Sequence, residues 1–444
     1  MKSFLENYFN LSRYKTNIRT EIIAGITTFI AAMYIIVVNP SILSQTGMPF
    51  NAVLTATVIL SAFSTIMMGM YAKNPILVAP GMGLNAFFTF SVVLGMKVPI
   101  ETALGAVFWA GVIFFLLSVF NVRTYIVKAI PRQIRYAVSA GIGLFITLIG
   151  FANAKFIVSK GIPLLGQAHV DVILLTFIIG LLITSILVAK NVKGALIIGI
   201  IVSTVICIPI GRLYGDASAI NFGVPTLVSW KGLFSAPDFS LFGKLDLAGS
   251  LKWSIWPVIF AILFTDMFDS LSTSVGVSEA AGLVDENGEP QNIKESLTVD
   301  AVATGLAGIL GTSAGTAYIE SAAGVQQGGR TGLTAVVAGL LFIPFMFFSP
   351  LLSIIPSIAT APALILVGVF MLKPILKINW AALDDAIPAF LALVLIPFTY
   401  SITQGIIWGF LSWTIIKIAL GKYKEISFTL IIIDILSILL LISE

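Results

Sequence analysis

WPVIFAILFTDMFDSLSTSVG, residues 256–276, is long and apolar enough to cross a bilayer, yet it carries Asp266 and Asp269 near its middle. A second apolar stretch, GTSAGTAYIESAAGV (311–325), carries Glu320. A carboxylate at bilayer depth is costly unless it faces a polar cavity, takes up a proton or finds a partner. Three of them in two neighbouring segments point to a transport site inside a membrane protein.

Composition points the same way. Of 444 residues, 58% are hydrophobic and only 10% charged, where a soluble domain carries roughly 25% charged residues. The fold class is therefore an all-α polytopic membrane protein in a lipid bilayer. The net charge of +4 is scattered among short loops, which is no nucleic-acid footprint. The single cysteine, Cys207, excludes an intramolecular disulfide and a CxxC metal site. The single histidine, His169, sits in a predicted outer loop beside Asp171 and is expected to be solvated and inert. No metal and no cofactor are expected. The N-terminal MKSFLENYFNLSRYKTNIRTE has no apolar core ahead of a small-residue cleavage site, so no cleaved leader is expected.

Segments of about 17–25 apolar residues can each cross a hydrocarbon core. In the first half they fall near 20–38, 51–71, 76–95, 102–120, 134–152, 171–189 and 194–211. After a polar and aromatic loop at 212–250 come spans near 252–273, 296–310, 314–329, 331–350, 357–372, 385–400 and 403–420. That predicts fourteen spans as seven plus seven. An odd number per half turns the second half upside down, as in an inverted repeat. With the N-terminus in the cytoplasm, eighteen of the 25 basic residues lie inside and seven outside, the bias that the positive-inside rule requires. The last stretch, ISFTLIIIDILSILLLISE (426–444), is short for a span and carries Asp434. It is expected to lie at the inner interface or against the bundle.

Two spans are poor helices. NPILVAPGMGLNAFF (74–88) holds two prolines and two glycines in the third, and residues 308–329 hold six glycines in the tenth. Such residues free backbone groups that hydrocarbon cannot satisfy, so they must line a cavity or be covered by protein. Interrupted segments at matching places in two repeats point to a transporter's midplane site. Close helix packing is the alternative use of the glycines, but it does not call for Pro75 and Pro80 beside Asn85.

Asp266 and Asp269 are three apart and share a helix face, which Ser270 and Thr273 extend. Two carboxylates this close resist being ionised together, so one is expected to hold and exchange a proton. The alternative is that one caps a broken helix. Glu320, two residues after Tyr318, can accept N–H groups of a heteroaromatic ring while an aromatic side chain stacks on its face. Tyr318, Phe264, Phe268, Phe87 and Phe88 are the candidates for stacking, against the commoner role of packing. Asn85 offers a donor and an acceptor for a base edge. Asp300, early in the ninth span, is a candidate relay, but its nearness to the inner surface favours a capping or snorkelling role. No GxSxG, HExxH or phosphate-binding loop is present, and GxG in APGMGLNA follows no strand of a βαβ unit.

APGMGLNAFF (79–88), FTDMFDSLST (264–273) and GTSAGTAYIESAAGV (311–325) occur here in the order found in nucleobase–cation symporters. The chain resembles their azaguanine/hypoxanthine/guanine/adenine permease branch over about residues 10–420. That resemblance implies fourteen spans in two inverted repeats, with short β pieces where spans three and ten meet. It divides the chain into a core domain (1–122 and 251–350), a gate domain with the outer loop (123–250 and 351–424) and an apolar C-terminal segment (425–444). It implies purine binding by Asn85, Asp266 and Glu320, with Gly83 and Asp269 as neighbours, and a homodimer. The uracil and xanthine branch tends to carry a glutamate in span eight with a histidine or aspartate one turn later. Asp266 departs from that pattern and favours 6-substituted purines.

The expectation is thus a cell-membrane, proton-coupled importer of adenine, guanine or hypoxanthine working by alternating access. Substrate contacts are assigned to Asn85, Gly83, Asp266, Glu320, Tyr318, Phe264 and Phe268, and proton coupling to Asp266, Asp269 and Glu320. Sodium coupling stays open, because unwound carbonyls coordinate sodium well. The rivals are another nucleobase, an anion or a dicarboxylate carried on the same architecture, and a passive channel. A membrane-embedded aspartyl protease would need its aspartates on two helices, in YD and GxGD motifs.

Overall fold

The computed structural model describes residues 2–120, 130–159, 165–170, 172–213, 232–284 and 290–443. Asp171 and the 214–231 part of the outer loop lie outside them. The apolar runs form helices, because a backbone away from water must hydrogen-bond to itself. In the first half these are α1 (Lys2–Tyr8), α2 (Ile18–Ala32), α3 (Ile35–Leu43), α4 (Phe50–Met67), α5 (Met82–Ala86), α6 (Ile100–Val119), α7 (Arg132–Asn153), α8 (Val172–Ala189) and α9 (Ala195–Leu213). In the second they are α10 (Trp256–Ala281), α11 (Ile293–Leu310), α12 (Ser321–Gln326), α13 (Gly332–Phe342), α14 (Ser349–Leu352), α15 (Ser357–Met371), α16 (Leu383–Thr399), α17 (Ile402–Ala419) and α18 (Phe428–Ser443). Among the described residues, seven helical stretches are long and apolar enough to cross a membrane, and five shorter apolar helices accompany them.

Where proline and glycine interrupt the pattern, short strands replace helix. They are β1 (Val78–Pro80) and β4 (Gly315–Ala317), apart from a small hairpin of β2 (Ile157–Ser159) and β3 (Leu165–Gln167). β1 and β4 run antiparallel, with Val78 opposite Ala317, Ala79 opposite Thr316 and Pro80 opposite Gly315. The freed backbone groups around them are accounted for. Gly81 N donates to Ala314 O, and Tyr318 N to Leu77 O, both at 2.9 Å. The Ser321 hydroxyl accepts from Leu77 N at 2.9 Å, and that of Thr65 from Val78 N at 3.0 Å. Two interrupted segments thus satisfy one another inside protein, which is what their burial requires.

A third interruption separates α2 from α3. The chain turns at Met33–Tyr34 before α3 begins, and within α3 Pro40 leaves the Ile36 carbonyl without its helical donor. Asn39, beside that proline, donates to the Thr57 hydroxyl at 2.7 Å and the Thr312 hydroxyl at 2.9 Å. This fixes α3 against α4 and the approach to β4.

The helices pack in two groups. α2 lies on α13, α6 on α11, and α4 on α13, around the two strands. α7 lies on α15 and α16, α16 on α17, and α8 on α9. In the first group, the close approach of α6 to α11 depends on Gly111: a Cβ there would lie 2.2 Å from Gly305 N. Residues 232–252 run across one end of this group. Ser235 N donates to Phe347 O, Asp238 N to the Thr55 hydroxyl, Gly243 N to Ile309 O and Asp246 N to Glu101 O, at 2.8–3.0 Å. In the second group, the buried Lys417 is held by Asp384 at 2.7 Å, Asp385 at 3.1 Å and Glu425 at 2.7 Å. α18 packs on α17 through Leu430 and Ile433, leaving Ile431, Ile435 and Leu439 facing outward.

Candidate functional site

Where the three interrupted segments converge, the structure leaves a cavity. Its walls are Tyr34 between α2 and α3, Met82 and Gly83 at the start of α5, Asp269 and Thr273 on α10, and Thr316 to Glu320 on and after β4. Val367, Phe370 and Met371 at the end of α15 close the far side. About 50 Å³ is open to the centres of water-sized molecules, room for roughly four waters. Ile319, 43% exposed, is also part of the wall.

Glu320 is held at this surface from two directions. Its backbone follows β4 and leads into α12. Its Oε1 accepts the Tyr34 hydroxyl at 2.6 Å. The Tyr318 hydroxyl donates to Pro80 O at 2.5 Å, which ties its ring to β1 and leaves it part of the wall. Gly83 is where α5 meets α7, since a Cβ there would lie 2.4 Å from Ile142 Cγ2. Among the described residues no lysine or arginine lines the cavity, and two carboxylates do.

Of the residues assigned from sequence, Gly83, Tyr318, Glu320 and Asp269 line the cavity, whereas Asn85, Asp266, Phe264 and Phe268 do not. Asn85 is fully buried and its Oδ1 accepts the Ser313 hydroxyl, joining α5 to the turn before β4. Phe264 packs among Phe260, Phe268 and Phe410, with ring centroids 4.4, 5.7 and 6.1 Å away. That is a packing ladder between α10 and α17. Phe87 and Phe88 are also buried away from the cavity.

Asp266 lies behind the strand. It is fully buried, and the Thr304 hydroxyl of α11 is 2.5 Å from its Oδ2. Asp300, one turn before Thr304, is also buried in the interior of α11. It is therefore not the snorkelling or capping group expected from its place in the sequence. The Thr304 hydroxyl is also 3.0 Å from Gly315 O on β4. The Ser270 hydroxyl is 2.7 Å from that of Thr316, on the same strand. A hydrogen-bonded path thus runs from Asp266 to the cavity wall.

Tyr34, Thr316, Phe370 and Met371 were not assigned from sequence. For Tyr34 the available signal was Pro40, which marks the first span as interrupted. For the α15 residues there was none, because ordinary apolar helix residues acquire this position only through packing.

A family model described as the permease family matches residues 19–407. Adenine permease AdeP of Escherichia coli (strain K12) is 41% identical over 442 residues, 99% of this chain and 96% of that one. Guanine/hypoxanthine permease PbuO of Bacillus subtilis (strain 168) is 42% identical over 434 residues, covering 96% and 98%. In fold, the chain is similar to the transmembrane domain of a cyanobacterial bicarbonate transporter, BicA. Their TM-score is 0.64 at 17% identity, over 88% of this chain and 97% of that one. With the match extending over most of its length, this chain belongs to the permease family, and it is a polytopic membrane transporter rather than an enzyme.

Proposed function

We propose that this permease carries purine nucleobases across the cell membrane in symport with protons. The observation that carries this is the cavity between the start of α5 and the residues of and after β4, where Glu320 and Asp269 present acceptors beside the ring of Tyr318. A purine is flat, has N–H donors on its edge and needs an aromatic or apolar face. The near full-length likeness to proteins named for adenine and for guanine/hypoxanthine supports the same class of cargo. An anion would meet two carboxylates and no cation.

In this proposal Glu320 accepts ring N–H groups, Asp269 is a second acceptor and Tyr318 borders the ring. Asn85 acts from behind by holding α5 to the turn before β4. The first helical group, with the strands, is the core domain and the second is the gate. With the N-terminus in the cytoplasm, the cavity mouth beside the end of α15 faces inward. At the opposite end, the Ser91 hydroxyl donates to Tyr400 O and closes core against gate. Moving core against gate would exchange the open side.

Asp266 carries the coupled proton. Thr304 has one hydroxyl hydrogen and two acceptors in reach, Asp266 and Gly315 O. With Asp266 ionised, that hydrogen points to the carboxylate. With Asp266 protonated, the acid donates to the Thr304 oxygen and the hydroxyl turns to β4. Protonation is thereby felt at the strand that carries Thr316 and leads to Glu320.

Counterflow tests the cargo: proteoliposomes loaded with unlabelled hypoxanthine should draw in labelled hypoxanthine, and absence of counterflow with any purine would reject it. Thr304→Val tests the path. It should leave counterflow largely intact and bring accumulation under a one-unit pH gradient from about tenfold, the limit for one proton per base, to near unity. Undiminished accumulation in that variant would remove Thr304 from the coupling.

A further inference from the structure

We propose that Tyr34 sets which purines the cavity prefers, by occupying one oxygen of the Glu320 carboxylate. This rests on the purine reading above and adds a choice among purines to it.

The turn between α2 and α3 places Tyr34 in the cavity wall, where its hydroxyl donates to Glu320 Oε1 at 2.6 Å. The side chain is 1% exposed, so packing holds the phenol in this position. A free carboxylate can take two parallel N–H bonds from a ligand edge that bears adjacent donors. With Tyr34 on Oε1 from the cavity side, Glu320 offers an incoming edge one oxygen, Oε2. Two other wall hydroxyls are engaged elsewhere: Tyr318 is bonded to Pro80 O, and Thr316 to Ser270.

Two purines that differ by one group separate these cases. Guanine presents ring N1–H and the 2-amino N–H side by side. Hypoxanthine lacks the 2-amino group and presents N1–H alone. Hypoxanthine needs only Oε2, while the second guanine donor must share Oε1 with the Tyr34 hydroxyl that already bonds it. A shared acceptor offsets less of the desolvation cost that a donor carries on burial. Tyr34 therefore biases the site toward purines with one donor on that edge. Removing its hydroxyl frees Oε1 and should admit the paired edge.

The test is competition by guanine and by hypoxanthine against labelled hypoxanthine uptake, in the wild-type protein and in Tyr34→Phe. In the variant, the guanine-to-hypoxanthine affinity ratio should rise about tenfold or more, as expected for a hydrogen bond to a charged group. A merely structural role for Tyr34 would weaken both bases alike and leave the ratio where it was. Tyr34→Leu removes the same donor through different packing and should move the ratio in the same direction. Thermal stabilisation of the purified variants by the same two bases gives the ratio where uptake is lost. An unchanged ratio, or one that moves against guanine, overturns the proposal while purine transport stands. Failure of the wild-type protein to bind or carry either base defeats the purine reading itself.

Discussion

Glu320→Gln lowers purine uptake at subsaturating concentration by at least about a hundredfold. Hydrogen bonds to a charged acceptor are worth about 1.5–3 kcal/mol each, and Glu320 is placed to make them with the cargo as well as with Tyr34. Glutamine keeps the length and one carbonyl oxygen, so the Tyr34 contact can persist. Its amide nitrogen, however, confronts a ring N–H with another donor. The variant should therefore fold, stay monodisperse in detergent and lose binding, as measured by uptake and by thermal stabilisation with purine. Uptake within a few-fold of wild type would show that the cargo does not meet this carboxylate.

The second large effect concerns stability. Gly111→Val should reduce the yield of folded protein more than tenfold and lower its Tm sharply. Any Cβ at position 111 would stand 2.2 Å from Gly305 N and 2.5 Å from Gly305 Cα, both backbone atoms of α11. A backbone cannot rotate aside as a flexible side chain can, so α6 and α11 must separate. Overpacking typically costs about 1–3 kcal/mol, and separating this pair places the cost at the upper end or beyond. Gly305→Ala is the control. A Cβ there meets nothing within 4 Å, and alanine in a helix gains about 0.5–1 kcal/mol over glycine. Size-exclusion profiles of the two variants separate these outcomes. Equal yields would mean that the α6–α11 approach is not set by Gly111.

The architecture was legible because hydrocarbon leaves a backbone few options. Runs of apolar residues had to become helices. The places where Pro75, Pro80 and Gly311–Gly315 forbid helix had to find partners, and β1 and β4 became partners for each other. What sequence could not supply was azimuth. Asp266 and Asp269 are about 60° apart around a helix of 3.6 residues per turn. That is close enough to share a face, yet wide enough for one to line the cavity while the other turns to α11. The contact of Asp266 with Thr304 was hidden for the same reason: the two meet only once α10 and α11 are side by side.

Asn85 and the phenylalanines show a different limit. An amide near a broken helix suits a ligand edge and suits a backbone clamp equally well. The Ser313 contact gives it the second geometry. Phe264 and Phe268 follow an acid-bearing helix in sequence, but their rings turn into the α10–α17 seam. Tyr34 went unassigned because a tyrosine in an apolar run has no distinctive spacing, and only the α2–α3 turn brings it to Glu320.

The most direct test of the account is accumulation of labelled hypoxanthine by wild-type proteoliposomes under a one-unit, inside-alkaline pH gradient. Internal hypoxanthine should rise to about ten times the external level, the limit for one proton per base, and fall back when a protonophore is added. An internal level that never exceeds the external one, or that follows an imposed sodium gradient instead, would contradict it.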